Sequence, residues 1–520
     1  GDQVFIPGGS TYAAVTVNKA AGTFTVSINA LECTGLTLTA SAGCTFNTDL
    51  TVNGTLTNAG GGFDVNLYGT TQITNDTTFG TSGTVRLGDG GDILTFTGEF
   101  THTAGDTALN GTLQTTNQNV AIAALALGGT SEINTDTAGG DITINGAVTN
   151  TAAQDLTLTA GAGNILLSNA VGTGPALGVL TLEAAGSITA NSTIQAASVS
   201  IDGGAVDLNG NITAPGGFVS EGTTFDNTNA TITTTDTAIT INHTGAITIG
   251  ATLASEAGAI DIDSTGSTID ISATVTTNTG AITIDADGLT TITDAGDITT
   301  TSGNVTFGAT GTGVVETAGD ITTTGGGITF TRATTIADAV TLSTGAIVGG
   351  NIAFGNTVNG VAGNSDTLAL TAGTGSVRFF NTVGAGESLG ALTINGGDIT
   401  LNGIGTAVTA GVTDTISVTS AGNVVLNAAD YHSTGEQTWT APGGVRYLST
   451  ANGTWSAGGT GIGCPDTDVY LDHDGRTLTL GSNLSCRNLY FYRGTLDCSG
   501  VEITTDENLV IFGGDYNPDD

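Results

Sequence analysis

Basic residues are nearly missing from this chain. One lysine, Lys19, and seven arginines face 47 acidic residues among 520, for a formal net charge of −39. Nucleic-acid binding draws on cationic side chains that displace phosphate counterions, and eight scattered cations form no such stripe. The same shortage disfavours anionic membranes and a stalk cross-linked by Lys–Asn isopeptide bonds. Methionine is absent and there are only 6 prolines. No run of about 18 apolar residues occurs, so no membrane insertion is expected in this segment. A basic-apolar-small leader is missing too: the chain opens Gly1-Asp2-Gln3-Val4-Phe5. Composition then favours a mature product, extracellular or on the cell surface, whose signal peptide has been removed.

What is abundant is glycine, 82 residues, with Thr, Ala, Asn and Asp. Such a mixture suggests disorder until its order is examined. The apolar fraction is 38 %, and Ile, Val and Leu fall at alternating positions, as in half-buried strands. Gly280-Ala281-Ile282-Thr283-Ile284, Gly303-Asn304-Val305-Thr306-Phe307 and Gly326-Gly327-Ile328-Thr329-Phe330 recur at one constant interval. Copies at Gly258 and Gly350 extend the series on either side, the first a little closer and the second a little further off. A second strand steps with them through Val275, Ile298 and Ile321. Parallel strands ordinarily need helical crossovers, and no convincing helical period is present; Val120 to Leu127 is the one short apolar run. Coils that wind into a β-solenoid satisfy both facts. The expectation is an all-β parallel β-helix of roughly 22–23 residues per coil.

Four stretches are distinguishable: irregular coils over 1–139, the regular repeat over 140–360, further coils over 361–430, and an aromatic and cysteine-containing section over 431–520. The last holds both tryptophans, six of eight tyrosines and four of seven arginines. It is either a cap that shields an open strand edge or a less regular run of solenoid. Aromatics and arginine favour interface cores, so Trp439, Trp455, Tyr470, Tyr490 and Tyr492 are the candidate interaction residues.

Five cysteines occur. Cys33 and Cys486 share strand parity with a leucine two positions earlier, and Cys44 and Cys498 follow them by about half a coil. Disulfides Cys33–Cys44 and Cys486–Cys498 are expected, with Cys464 left over, although spacing alone does not fix connectivity. No Cys-x-x-Cys exists and the four histidines lack zinc-ligand spacing. Asp285-Ala286-Asp287-Gly288 and Asp472-His473-Asp474-Gly475 are the two corners that could gather oxygen ligands on Ca²⁺. Neither continues into a twelve-residue loop closed by glutamate, and solvated turn aspartates are the simpler reading. No other cofactor is expected.

The segments Gly140-Asp141-Ile142-Thr143-Ile144-Asn145-Gly146, Gly245-Ala246-Ile247-Thr248-Ile249 and Gly296-Asp297-Ile298-Thr299-Thr300-Thr301 resemble the repeats of filamentous-haemagglutinin-type bacterial adhesins. The resemblance covers about 140–360 well. It implies a right-handed β-helix, export to the cell surface, and a role in adhesion or as a surface fibre. The chain departs from that family in lacking Asn-Pro-Asn-Gly near its start, which puts two-partner export in doubt and suggests a fragment.

Many β-helices degrade polysaccharides, with basic residues or paired carboxylates beside a histidine. Between residues 140 and 430 only Arg332 and Arg378 occur, each alone, and no such set is recognisable. The expectation is therefore a non-catalytic bacterial structural protein, an adhesin stalk or a fibre subunit. Its partners would be copies of itself, other surface proteins or glycans. The alternatives are a polysaccharide-binding or polysaccharide-degrading β-helix, or an ice-binding solenoid. Ice binding wants Thr-x-Thr in every coil; here one outward threonine column persists while its neighbour carries aspartate at Asp297 and Asp320.

Overall fold

The computed structural model describes residues 2–39, 42–308, 311–361, 366–406, 408–513 and, for the backbone alone, 515–517. Among these every regular element is a strand, and the strands pair in parallel in about 24 turns of roughly 21 residues: a β-solenoid. Val120–Leu127 is one of those strands. The turn is shorter than the repeat tract implies because corners elsewhere are tighter. Leu31 pairs with Leu50 and Ile194 with Ile212, each a shorter step than the one from Ile282 to Val305. The chain forms two compact units, Gly1–Gly245 and Ala246–Asp520.

In the first unit three inward ladders line the lumen. One runs Leu94, Leu113, Ile133, Leu158, Leu182, Ile201. Another runs Leu125, Val148, Val171, Ile194, Ile212, Ile232. The third runs Phe100, Val120, Ile142, Ile165, Ile188, Val206, Phe225. All are fully or almost fully buried. Some buried polar groups interrupt the ladders, and His102 is one that is bonded, as burial demands. His102 meets the Thr107 hydroxyl at 2.9 Å and the Thr81 carbonyl at 3.2 Å.

In the second unit one wall carries Ile260, Ile282, Val305, Ile328, Ile352, Val377, Ile399, Val424, Val445, Val469 and Leu489. Two residues further along each strand, Phe307, Phe330, Phe354 and Phe379 stack at centroid distances of 4.6, 5.0 and 4.7 Å with nearly parallel rings. In-register parallel strands about 4.8 Å apart impose that stacking on any aromatic repeated at one position. The ladders run unbroken through residues 360 and 430, so Tyr431, Trp439 and Trp455 occupy lumen positions held earlier by Ile404, Val418 and Tyr431.

Glycine opens each repeat because the turns approach closely there. A Cβ at Gly303 would lie 1.7 Å from the Gly280 carbonyl oxygen, and one at Gly326 equally close to that of Gly303. Beside them the buried Thr300 hydroxyl accepts from the Gly303 amide at 3.0 Å, closing the corner. The outward aspartates have a comparable task. Asp297 accepts from the Asp320 amide at 3.0 Å, and Asp320 from the Thr341 amide at 2.7 Å, each fastening the next turn.

Candidate functional site

Outward positions of the Ile260–Leu489 wall change character along the second unit. Thr283, Thr306 and Thr329 stack in register and Ala353 follows, as expected of a β-favouring surface column. From there the same column reads Arg378, Thr400, Val425, Arg446, Tyr470, Tyr490. The Tyr470 and Tyr490 rings stack at 5.0 Å, and Tyr492 stacks on Phe512 at 4.8 Å. The Arg446 guanidinium lies over the Tyr470 ring at 4.7 Å, and that of Arg378 lies 5.7 Å from the Phe380 ring. Phe380, Leu448, Tyr492 and Phe512 are 52, 39, 37 and 63 % exposed. The result is a strip of rings and guanidinium groups on one face.

Between the two arginines the wall is hollowed into a shallow groove of about 560 Å³. Thr400 and Val425 form its floor, and Asp398 and Asn423 stand along one side. Asp398 accepts from the Asn423 amide at 2.9 Å. Among the described residues, no carboxylate lies within ion-pairing distance of Arg378 or Arg446, whereas Arg86, Arg332, Arg487 and Arg493 each hold at least one. Further along, Asp468 receives Arg487 at 2.8 Å and Asn488 at 2.9 Å, and the Arg487 hydrogen bond holds its carboxyl below the usual range.

Two of the expected interaction residues fall elsewhere. Trp439 and Trp455 are wholly buried, and both indole N–H groups donate to Gln437 Oε1, at 3.2 and 2.7 Å. They fill the lumen because they continue its ladders. Tyr470, Tyr490 and Tyr492 do belong to the outward strip. Sequence reasoning counted Arg446 only as one of the arginines of the 431–520 section, and it missed Arg378, which stands alone in the chain, as their companion. A signal for both exists: each sits between two large apolar residues, in Val377-Arg378-Phe379 and Val445-Arg446-Tyr447, which forces it outward.

Corners considered for Ca²⁺ are occupied by arginine. Buried Asp285 pairs with buried Arg332 and accepts from the Gly311 amide at 3.0 Å. Asp472 and Asp474 bracket Arg493 at 2.7 and 3.3 Å. Asp287 is exposed. Among the described residues no group of three or more His, Cys, Asp or Glu side chains is placed to hold a metal ion.

Cys33 and Cys486 keep free, buried thiols, so the bonds expected from spacing, to Cys44 and Cys498, are not made. In a stack the nearest inward neighbour lies one turn above or below, not half a turn along. Cys33 therefore faces Tyr12 and Val52, and Cys44 faces Phe24 and Val65. Cys486 instead sits in register with Cys464. Burial pushes the Cys486 thiol up to about 12 and raises that of Cys464 well above the ordinary range.

The first unit carries a contrasting outward column. Glu183, Asp202 and Glu221 stack on consecutive turns, all exposed, beside a groove of about 420 Å³ lined in part by Gly203, Gly204 and Gly222. Among the described residues no helix is long and apolar enough to cross a membrane. No family model matches the chain, and neither a curated protein nor a solved structure matches it, so fold and surface chemistry carry the functional reading.

Proposed function

We propose that this chain is a secreted or surface-displayed bacterial scaffold of the adhesin or extracellular-fibre kind, non-catalytic, with its binding capacity on a lateral face of the second unit. The observation that carries the reading is the strip from Arg378 to Tyr492. Stacking alone requires nothing outward beyond β-favouring residues, and the threonines at 283, 306 and 329 meet that need. Replacing them with tyrosine and arginine places the residue types favoured in interface cores on the outside. Solvation alone offers no reason for such a change.

The test is surface labelling of intact source cells with an antibody raised against the purified chain, together with a cell- or matrix-adhesion assay. Labelling without permeabilisation, with adhesion weakened by Tyr490→Ala/Tyr492→Ala, supports the reading. A chain reached only after permeabilisation overturns it. Negative-stain imaging separates the two forms: end-to-end filaments identify a fibre subunit, and discrete particles at high concentration an adhesin shaft.

A further inference from the structure

Resting on the reading that this lateral face binds, we propose that its ligand is an acidic glycan whose carboxylate-bearing sugars are spaced by neutral ones, lying along the stack across Arg378, Arg446, Tyr470 and Tyr490. Three features of the face converge on that chemistry. Arginine binds carboxylate through a planar fork of donors, and in a protein with 47 acidic residues these two guanidinium groups are not satisfied by any described carboxylate. They are held over aromatic rings, which keeps their polar edges available to a ligand. Both open onto the same groove.

The interval between the arginines supplies the spacing. Arg378 and Arg446 lie three turns apart in one column, about 14 Å along the stack at the usual strand separation. Between them the groove presents hydroxyl, amide and carboxylate groups at Thr400, Asn423 and Asp398. Those groups suit sugar hydroxyls. A carboxylate opposite Asp398 would be repelled, so the middle sugars must be neutral. Beyond Arg446 the Tyr470 and Tyr490 rings stack face to face at 5.0 Å, so they offer a sugar their edges and hydroxyl groups. Asn488 and Asp468 stand beside them.

A nucleic acid also combines negative charge with stacking bases. Its charge recurs at every nucleotide, however, and two arginines on a chain of net charge −39 neutralise too little of it. A wholly neutral glycan would leave both guanidinium groups unused. The structure thus favours sparse charge over both.

The experiment uses the full chain and isothermal titration with oligosaccharides of hyaluronan and of gellan, in which one and three neutral sugars separate successive glucuronates. Their carboxyl-methylated forms and a single-stranded oligothymidylate serve as comparators. At least one of the two acidic glycans should bind, with affinity falling about tenfold or more on methylation. Arg378→Gln and Arg446→Gln should each lose a similar factor, and Tyr490→Ala should weaken both forms of the ligand. Circular dichroism and a cooperative thermal transition well above the assay temperature establish that each variant is folded. Equal affinity for free and methylated glycan, wild-type affinity in both arginine variants, preference for the oligothymidylate, or no binding to either acidic glycan overturns the proposal. The last result, with intact cells still labelled by antibody, leaves the scaffold reading standing and removes only the ligand.

Discussion

Two outward columns on the same kind of ladder show how little the fold dictates its surface. In the first unit the column runs Thr159, Glu183, Asp202, Glu221, Asn242. In the second it runs Arg378, Thr400, Val425, Arg446, Tyr470, Tyr490. Both project from parallel strands one turn apart, and both lie over aliphatic lumen residues. One stacks like charges, which destabilises neighbouring strand positions. The other pairs cation with ring and ring with ring, which stabilises them. A solenoid tolerates either because its stability comes from the inward ladders, and the outward positions are left to serve recognition or solvation.

That division predicts a large asymmetry between inward and outward substitutions. Phe330→Ala, removing the middle ring of the buried stack, should cost about 3–5 kcal/mol, read by urea unfolding or as lost hydrogen-exchange protection in the strands around Ile328–Phe330. A cost below about 1 kcal/mol would show that the ladder is slack and would break the comparison.

Acid should find a second weak point, inside the first unit. Buried His243 bonds the Ser220 hydroxyl at 3.0 Å, and burial lowers its pKa to about 4. Its folded value is depressed below the ordinary histidine value of 6.5, so the unfolded chain binds the proton more readily. Stability is intact above pH 6.5 and falls as pH drops toward 4, by about 3 kcal/mol across that window if the full shift is realised. His243→Gln should flatten this part of the profile. An equal pH slope in the variant would mean that His243 already titrates normally in the folded chain.

The lumen is legible in the sequence and the outward strip is not, for a physical reason. Burial enforces apolar side chains at alternating positions, so Ile282, Val305 and Ile328 declare themselves through their spacing and the glycine before each. Outward residues obey no such constraint. The steps from Arg378 to Thr400, from Thr400 to Val425 and from Val425 to Arg446 all differ in length, so no fixed period aligns them. Residue type misplaces the tryptophans: aromatics suggest interfaces, yet Thr438-Trp439-Thr440 alternates as a lumen position should. Distance along the chain misplaces the cysteines, since the neighbour that matters in a stack is about one turn away, as Cys486 is from Cys464.

A smaller effect tests whether the aromatic strip also stabilises the coils beneath it. Tyr490→Ala deletes one partner of the 5.0 Å stack with Tyr470. The loss should be about 0.5–1.5 kcal/mol, well below that of Phe330→Ala. A cost as large as the buried ring's would make the strip a structural element first, and its exposure would need another explanation.

The smallest effect has the opposite sign. Asp202 stands between Glu183 and Glu221 on adjacent turns, with all three exposed. Replacing it with asparagine keeps shape and hydrogen-bonding capacity but removes the middle charge. Asp202→Asn should therefore stabilise the chain, by about 0.2–1 kcal/mol at low ionic strength, since like charges directly opposite one another on neighbouring strands repel. The gain should shrink as salt is raised toward 1 M, where the screening length falls to about 3 Å, shorter than one turn of the stack. Urea midpoints of the two proteins in low and high salt measure it. A gain that persists undiminished in high salt would assign the effect to packing. A loss of stability would mean that Asp202 makes a favourable contact its neighbours depend on, and the acidic column would then share with the aromatic one a part in holding the turns together.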